Sequence, residues 1–119
     1  MARVLLAEDD ASMLQLLQIL LRMEGHDVSI LDLHADLINS VRTADPDIML
    51  MDVHLAGKSG MEMLHELRVQ ADLKDTAIIL SSGMDLAAEA RKAGATAFLL
   101  KPYMPEDLIR LIDQYAPKS

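Results

Sequence analysis

Two apolar periodicities take turns along this chain. Short runs rich in Val, Ile and Leu at 3–7, 27–31, 47–52, 77–81 and 96–100 predict strands. Between them lie stretches of helical spacing. Met13, Leu16, Leu17, Leu20 and Leu21 repeat at i, i+3, i+4 and i+7, and Gly25 stops that helix. Ser59 is placed to cap a helix with Met61, Leu64 and Leu67 on its inner face. Asp85 and Gly94 bracket a short helix over 86–93, and 35–42 carries the faintest helical pattern. Pro105 suits a first helical position, followed by Glu106 and Asp107 at the positive end of the dipole. Leu108, Leu111, Ile112 and Tyr115 then face inward.

Five strands alternating with five helices predict one α/β domain, a parallel sheet with helices on both faces. Val4-Leu5-Leu6, Ile48-Met49-Leu50-Met51 and Ile78-Ile79-Leu80 are nearly unbroken apolar runs, as central parallel strands require. The whole span 1–119 reads as a single domain. Residues 116–119 read as either its end or the start of a linker.

Composition narrows the possibilities. One Phe, two Tyr and no Trp leave Leu, Ile, Val, Ala and nine Met to build the core. Methionines 13, 23, 49, 51, 61 and 63 are read as core filler. A net charge of −8 argues against a nucleic-acid surface, and the absence of cysteine removes disulfides and thiolate metal sites. No apolar run reaches membrane-spanning length, and the N-terminus lacks a signal-peptide plan, so a cytoplasmic location is expected. His26, His34, His54 and His65 show no metal-ligand spacing and are read as mostly exposed, His54 excepted.

In a doubly wound sheet, ligands bind at the carboxyl ends of the strands. Here those ends carry Glu8-Asp9-Asp10, Asp52, Ser81-Ser82-Gly83 and Lys101-Pro102. Asp10 reads as the cap of the first helix. The other carboxylates, crowded together, call for a cation. An all-oxygen set with room for phosphate favours Mg²⁺. A carboxylate beside such a metal is a competent nucleophile toward phosphorus, and a lysine and a hydroxyl can complement the phosphoryl oxygens.

With those residues in view, the chain resembles the receiver domains of two-component response regulators. The resemblance is carried by Val4-Leu5-Leu6-Ala7-Glu8-Asp9-Asp10, by Met49-Leu50-Met51-Asp52-Val53-His54-Leu55-Ala56-Gly57-Lys58-Ser59-Gly60-Met61, by Ala77-Ile78-Ile79-Leu80-Ser81-Ser82-Gly83 and by Ala93-Gly94-Ala95-Thr96-Ala97-Phe98-Leu99-Leu100-Lys101-Pro102. It implies a flavodoxin-like (βα)5 fold with strand order 2-1-3-4-5. It also implies Asp52 as phosphoacceptor. Mg²⁺ would be held by Asp9, Asp52 and the backbone carbonyl of His54, with Glu8 acting largely through water. Ser82 and Lys101 would contact the phosphoryl group, and Phe98 would be the aromatic that changes rotamer. A cis Lys101–Pro102 bond is implied as well. The implied donor is a phosphohistidine on a sensor histidine kinase or phosphotransfer protein, and the implied target is an output domain or downstream effector.

The chain departs from the family pattern in three places. Ala56 stands where proline is common, and Ser82 where threonine is. The interval from Ser82 to Lys101 is 19 residues, roughly three fewer than usual, nearly one helical turn. The resemblance implies a phosphorylation-controlled switch that promotes its own phosphorylation and has no turnover substrate, and two other functions compete with it. A Mg²⁺-dependent phosphatase of the haloacid-dehalogenase kind would need a second aspartate two residues after the nucleophile, where this chain has His54. A degenerate receiver-like interaction module would be expected to have lost acids or the lysine, yet Glu8, Asp9, Asp52, Ser82 and Lys101 are all present.

Overall fold

The computed structural model describes residues 1–117, so Lys118 and Ser119, half of the expected linker start, lie outside the described residues. Its strands are β1 (Arg3–Ala7), β2 (Asp27–Ile30), β3 (Ile48–Asp52), β4 (His54–Leu55), β5 (Lys58–Ser59), β6 (Ala77–Ser82) and β7 (Ala97–Leu100). The helices are α1 (Ala11–Met23), α2 (Leu37–Ala44), α3 (Gly60–Arg68), α4 (Ala87–Ala93) and α5 (Pro105–Tyr115). The main sheet runs β2-β1-β3-β6-β7 with every pairing parallel. Counting only its own five strands, that is the 2-1-3-4-5 order.

Strand alternation divides the core between the two faces. Leu5, Met49, Met51, Ile78 and Leu80 pack toward Val41, Leu64, Leu67 and Ala90 of α2, α3 and α4. Val4, Leu6, Ile48, Leu50 and Ile79 pack toward Leu17 and Leu21 of α1 and Leu108 and Ile112 of α5. Each fully buried aliphatic side chain contributes about 1.5–3 kcal/mol of transfer free energy, so these two layers fix the sheet and everything mounted on its edge.

Local signals set the helix ends. Asp10 Oδ1 accepts from the backbone N–H groups of Ser12 and Met13, which caps α1 as expected. Gly25 (φ 85°) and Gly94 (φ 101°) take the left-handed conformation that ends α1 and α4. Ser59 caps α3 through Glu62 N–H, and Asp107 reaches back to the N–H of Met104 ahead of Pro105. The second helix starts at Leu37 rather than Ala35, because Asp36 is extended and spends its carboxylate capping Ile38 and Asn39.

Three burial expectations are corrected. Leu16 is exposed, since α1 meets the sheet through Leu17 and Leu21 with Met13 and Leu14 beside them, which turns Leu16 toward solvent. Met23, in the last turn of α1, is 80% exposed and fills no core. His26 is buried, not exposed: its Nδ1 accepts the N–H of Ala2 at 2.9 Å, while Nε2 lies 3.7 Å from Asp113 on α5. The small antiparallel hairpin β4–β5 was not expected from the apolar pattern; it folds back just after Asp52.

Candidate functional site

The carboxyl edge of the sheet gathers the chemistry. Glu8 follows β1 directly, Asp52 ends β3, Ser82 ends β6 and Lys101 follows β7. Glu8 and Asp52 are both buried, and the Lys101 ammonium donates to both: 2.5 Å to Asp52 Oδ2 and 3.0 Å to Glu8 Oε2. The second oxygen of each is also engaged. Asp52 Oδ1 accepts from the N–H of His54 at 2.9 Å, and Glu8 Oε1 accepts from the N–H groups of Asp9 and Asp10. Asp9 sits at the rim. Its Oδ2 accepts from the N–H of Ala56 at 2.8 Å, tying the end of β1 to the loop beyond Asp52.

The lysine is positioned by the sheet itself. Its N–H donates to the carbonyl of Ser82 at 2.8 Å, and the Lys101–Pro102 bond is cis, as the resemblance implied. In the same way Val53 N–H donates to Ser81 C=O, which anchors the residue after Asp52. Burial pushes the Glu8 carboxyl above its ordinary value, with Lys101 pulling the other way. Hydrogen bonding from Ala56 holds Asp9 below the usual carboxylate range. For Lys101 burial acts downward, but bonding to Asp52 and Glu8 outweighs it and holds the ammonium above its usual value.

The two serines part company. Ser81 is the register partner of Asp52 and lines a small recess with Glu8, Asp52 and Tyr103. Ser82 is fully buried, and its hydroxyl accepts the N–H of Met84 at 3.1 Å, within its own loop. Phe98 is partly buried opposite Leu80, beside a cavity of about 120 Å³ lined by Ala87, Ala90, Arg91, Ala95 and Thr96. That cavity lies under α4, which has only seven residues, in keeping with the short interval noted in the sequence.

Sequence reasoning passed over two participants. Tyr103 is half-buried beside Glu8 and Asp52, and burial raises its phenol; its place two residues after Lys101 was the available signal. The Ala56 N–H, a backbone group, leaves no mark in side-chain chemistry. Among the described residues no three His, Cys, Asp or Glu side chains converge as a ready-made metal cage. The donor set nonetheless fits Mg²⁺, which keeps several waters and needs only one or two carboxylates. Lys101 cancels one charge of the Glu8–Asp52 pair, leaving Asp9 to add to the excess.

Fold and site together define a doubly wound α/β domain with a carboxylate–lysine cluster at its ligand edge. Residues 4–113 match the family model described as the response regulator receiver domain. The chain is 32% identical over 119 residues to the cell cycle transcriptional regulator CtrA of Caulobacter vibrioides, covering 98% of this chain and 51% of that protein. Among solved structures it is similar to the chemotaxis response regulator CheY4 of Vibrio cholerae (TM-score 0.80, 27% identity, covering 97% of this chain and 98% of that one). It is also similar to the receiver domain of the sensor histidine kinase PA1611 of Pseudomonas aeruginosa, whose structure has a magnesium ion coordinated in the active-site cleft. That match has a TM-score of 0.76 and 28% identity and covers 94% of each chain. The chain belongs to the response regulator receiver domain family. Members of that family act as phosphorylation-controlled signalling switches. The chain spans about half the length of the curated relatives it matches.

Proposed function

We propose that this chain accepts a phosphoryl group on Asp52, in a Mg²⁺-dependent reaction, and signals through the conformation that the acyl phosphate stabilises. The observation that carries this reading is the Lys101 bridge: one ammonium bonded to two buried carboxylates at the ends of different strands. A structural ion pair needs one partner for each charge. A lysine shared by two acids at a ligand edge suits a site where further negative charge arrives.

An Asp52 carboxylate oxygen attacks phosphorus while the bond to the donor breaks. With a phosphohistidine donor that is the P–N bond, and the imidazole departs, its nitrogen taking a proton. The His54 N–H and the Lys101 ammonium fix the carboxylate beforehand, so little reorganisation remains at the moment of transfer. Asp9, Asp52 and the His54 carbonyl would hold Mg²⁺, with Glu8 acting through water; when bound, the ion neutralises charge on the phosphoryl oxygens. Lys101 then shifts its bonding toward the new oxygens, and the Ser82 hydroxyl leaves Met84 to join it.

The donor in this reading is a sensor histidine kinase or phosphotransfer protein, and the target is an output domain or separate effector. The work is done in the cytoplasm, and this domain has no nucleic-acid contact of its own. Incubation with acetyl phosphate and Mg²⁺, followed by intact-mass measurement, tests it. One slowly hydrolysed phosphoryl adduct per chain is expected. Continuous phosphate release would indicate a turnover phosphatase, and the absence of any adduct a degenerate module.

A further inference from the structure

The geometry points to Gly60 as a positioning residue for Asp52, a role that rests on the proposed acceptor reading. Gly60 opens α3, and its φ lies outside the left-handed region, so backbone conformation does not require glycine there. Space does. A Cβ at Gly60 would lie 2.4 Å from the carbonyl oxygen of Asp52, 2.8 Å from Val53 Cα and 3.1 Å from Asp52 C. All three are backbone atoms, so no side chain can swing aside to make room.

The contact is also locked from the other side. Gly60 N–H donates to the Val53 carbonyl at 2.7 Å, and Ser59 caps the first turn of the same helix. The start of α3 is thus pressed against the peptide that joins Asp52 to Val53. That peptide carries the acceptor carboxylate on one side. On the other it leads to the His54 N–H that orients Oδ1, and to the His54 carbonyl assigned to the metal shell. Any Cβ at position 60 must push this peptide by several tenths of an ångström, and such a displacement at the reacting group is costly in rate. By contrast a Cβ at Gly83, the other glycine at this edge without positive φ, would meet nothing within 4 Å.

The test is Gly60→Ala, read in two ways. Amide exchange reports the displacement without any chemistry. The Val53 N–H (bonded to Ser81 C=O) and the His54 N–H (bonded to Asp52 Oδ1) should exchange at least tenfold faster, while Leu50 and Ile79 keep their protection. Acetyl-phosphate labelling with Mg²⁺ should slow about tenfold or more. Val41→Ala, a core variant far from the site, should match the loss of stability yet label at the wild-type rate. Unchanged exchange at 53 and 54 together with wild-type labelling would overturn the role of Gly60 and leave Asp52 as acceptor. Wild-type protein that takes no phosphoryl group would overturn the acceptor reading, and exchange would still decide the steric claim. If Gly60→Ala does not fold, Ser59→Ala adds no atom and only loosens the same turn. It should raise His54 exchange about threefold, and no change would count against the inference.

Discussion

Lys101 is the residue on which the site balances. Removing it leaves Glu8 and Asp52 buried and unpaired, which for a fully buried pair costs about 3–5 kcal/mol. The Lys101 side chain keeps 22% of its surface exposed, so Lys101→Ala is expected to lose about 2 kcal/mol by urea unfolding without metal. Mg²⁺ should restore more stability to this variant than to the wild type. Glu8 supplies a pH signature. Its folded carboxyl binds a proton more tightly than the unfolded one, because burial outweighs Lys101. Its contribution to stability therefore falls as pH rises from the ordinary value of 4.5 through the raised folded value, then stays constant. Glu8→Gln lacks this titration. The difference in urea midpoint, variant minus wild type, should climb across that window in metal-free buffer and then level. A flat or falling difference would contradict the assignment. Asp52, Glu8 and Lys101 were legible in the sequence because each lies where an apolar run ends. The burial of His26 was not, since it depends on Ala2 and on Asp113, distant residues that meet only in the folded chain.

At the scale of elements, β6 and β7 connect the site to α4. Ser82 closes β6 with its hydroxyl on Met84, and Phe98 sits in β7 beside the cavity under α4. In the proposed switch, drawing Ser82 toward a phosphoryl group would free that hydroxyl bond and let the Phe98 ring move, a discrete choice in a packed core. Ser82→Ala should still be phosphorylated, more slowly, and lose most of the response at 83–100. Beryllofluoride-induced shifts of amides 83–100 and of the Phe98 ring check this. The full wild-type pattern in Ser82→Ala would shift the role to Ser81, which already lies beside Asp52 in the register. The far end of these strands is held by Arg68, whose guanidinium donates to the carbonyls of Leu73, Lys74, Thr76 and Gly94 and to the Thr96 hydroxyl. Nothing in its sequence context marked Arg68, because its partners are mostly backbone carbonyls. The β4–β5 hairpin was equally hidden: two-residue strands carry no periodicity.

The architecture of the whole molecule was the most legible feature. Alternating elements imply parallel strands, parallel strands imply two covered faces, and the sheet indeed has a core layer on each side. Strand order came from the family resemblance, and the order β2-β1-β3-β6-β7 agrees with it. That order puts β1 and β3 side by side, which brings Glu8 to Asp52 across 44 residues of chain, with Asp9 at the rim. The central claim is that this convergence makes Asp52 the acceptor. Its most direct test labels the protein with acetyl phosphate and Mg²⁺, reduces it with borohydride, which converts an aspartyl phosphate to homoserine, and maps the peptides. Homoserine is expected at position 52 and at no other acid. Reduction at Asp9, Glu8 or any other acid, with position 52 still aspartate, would contradict that claim.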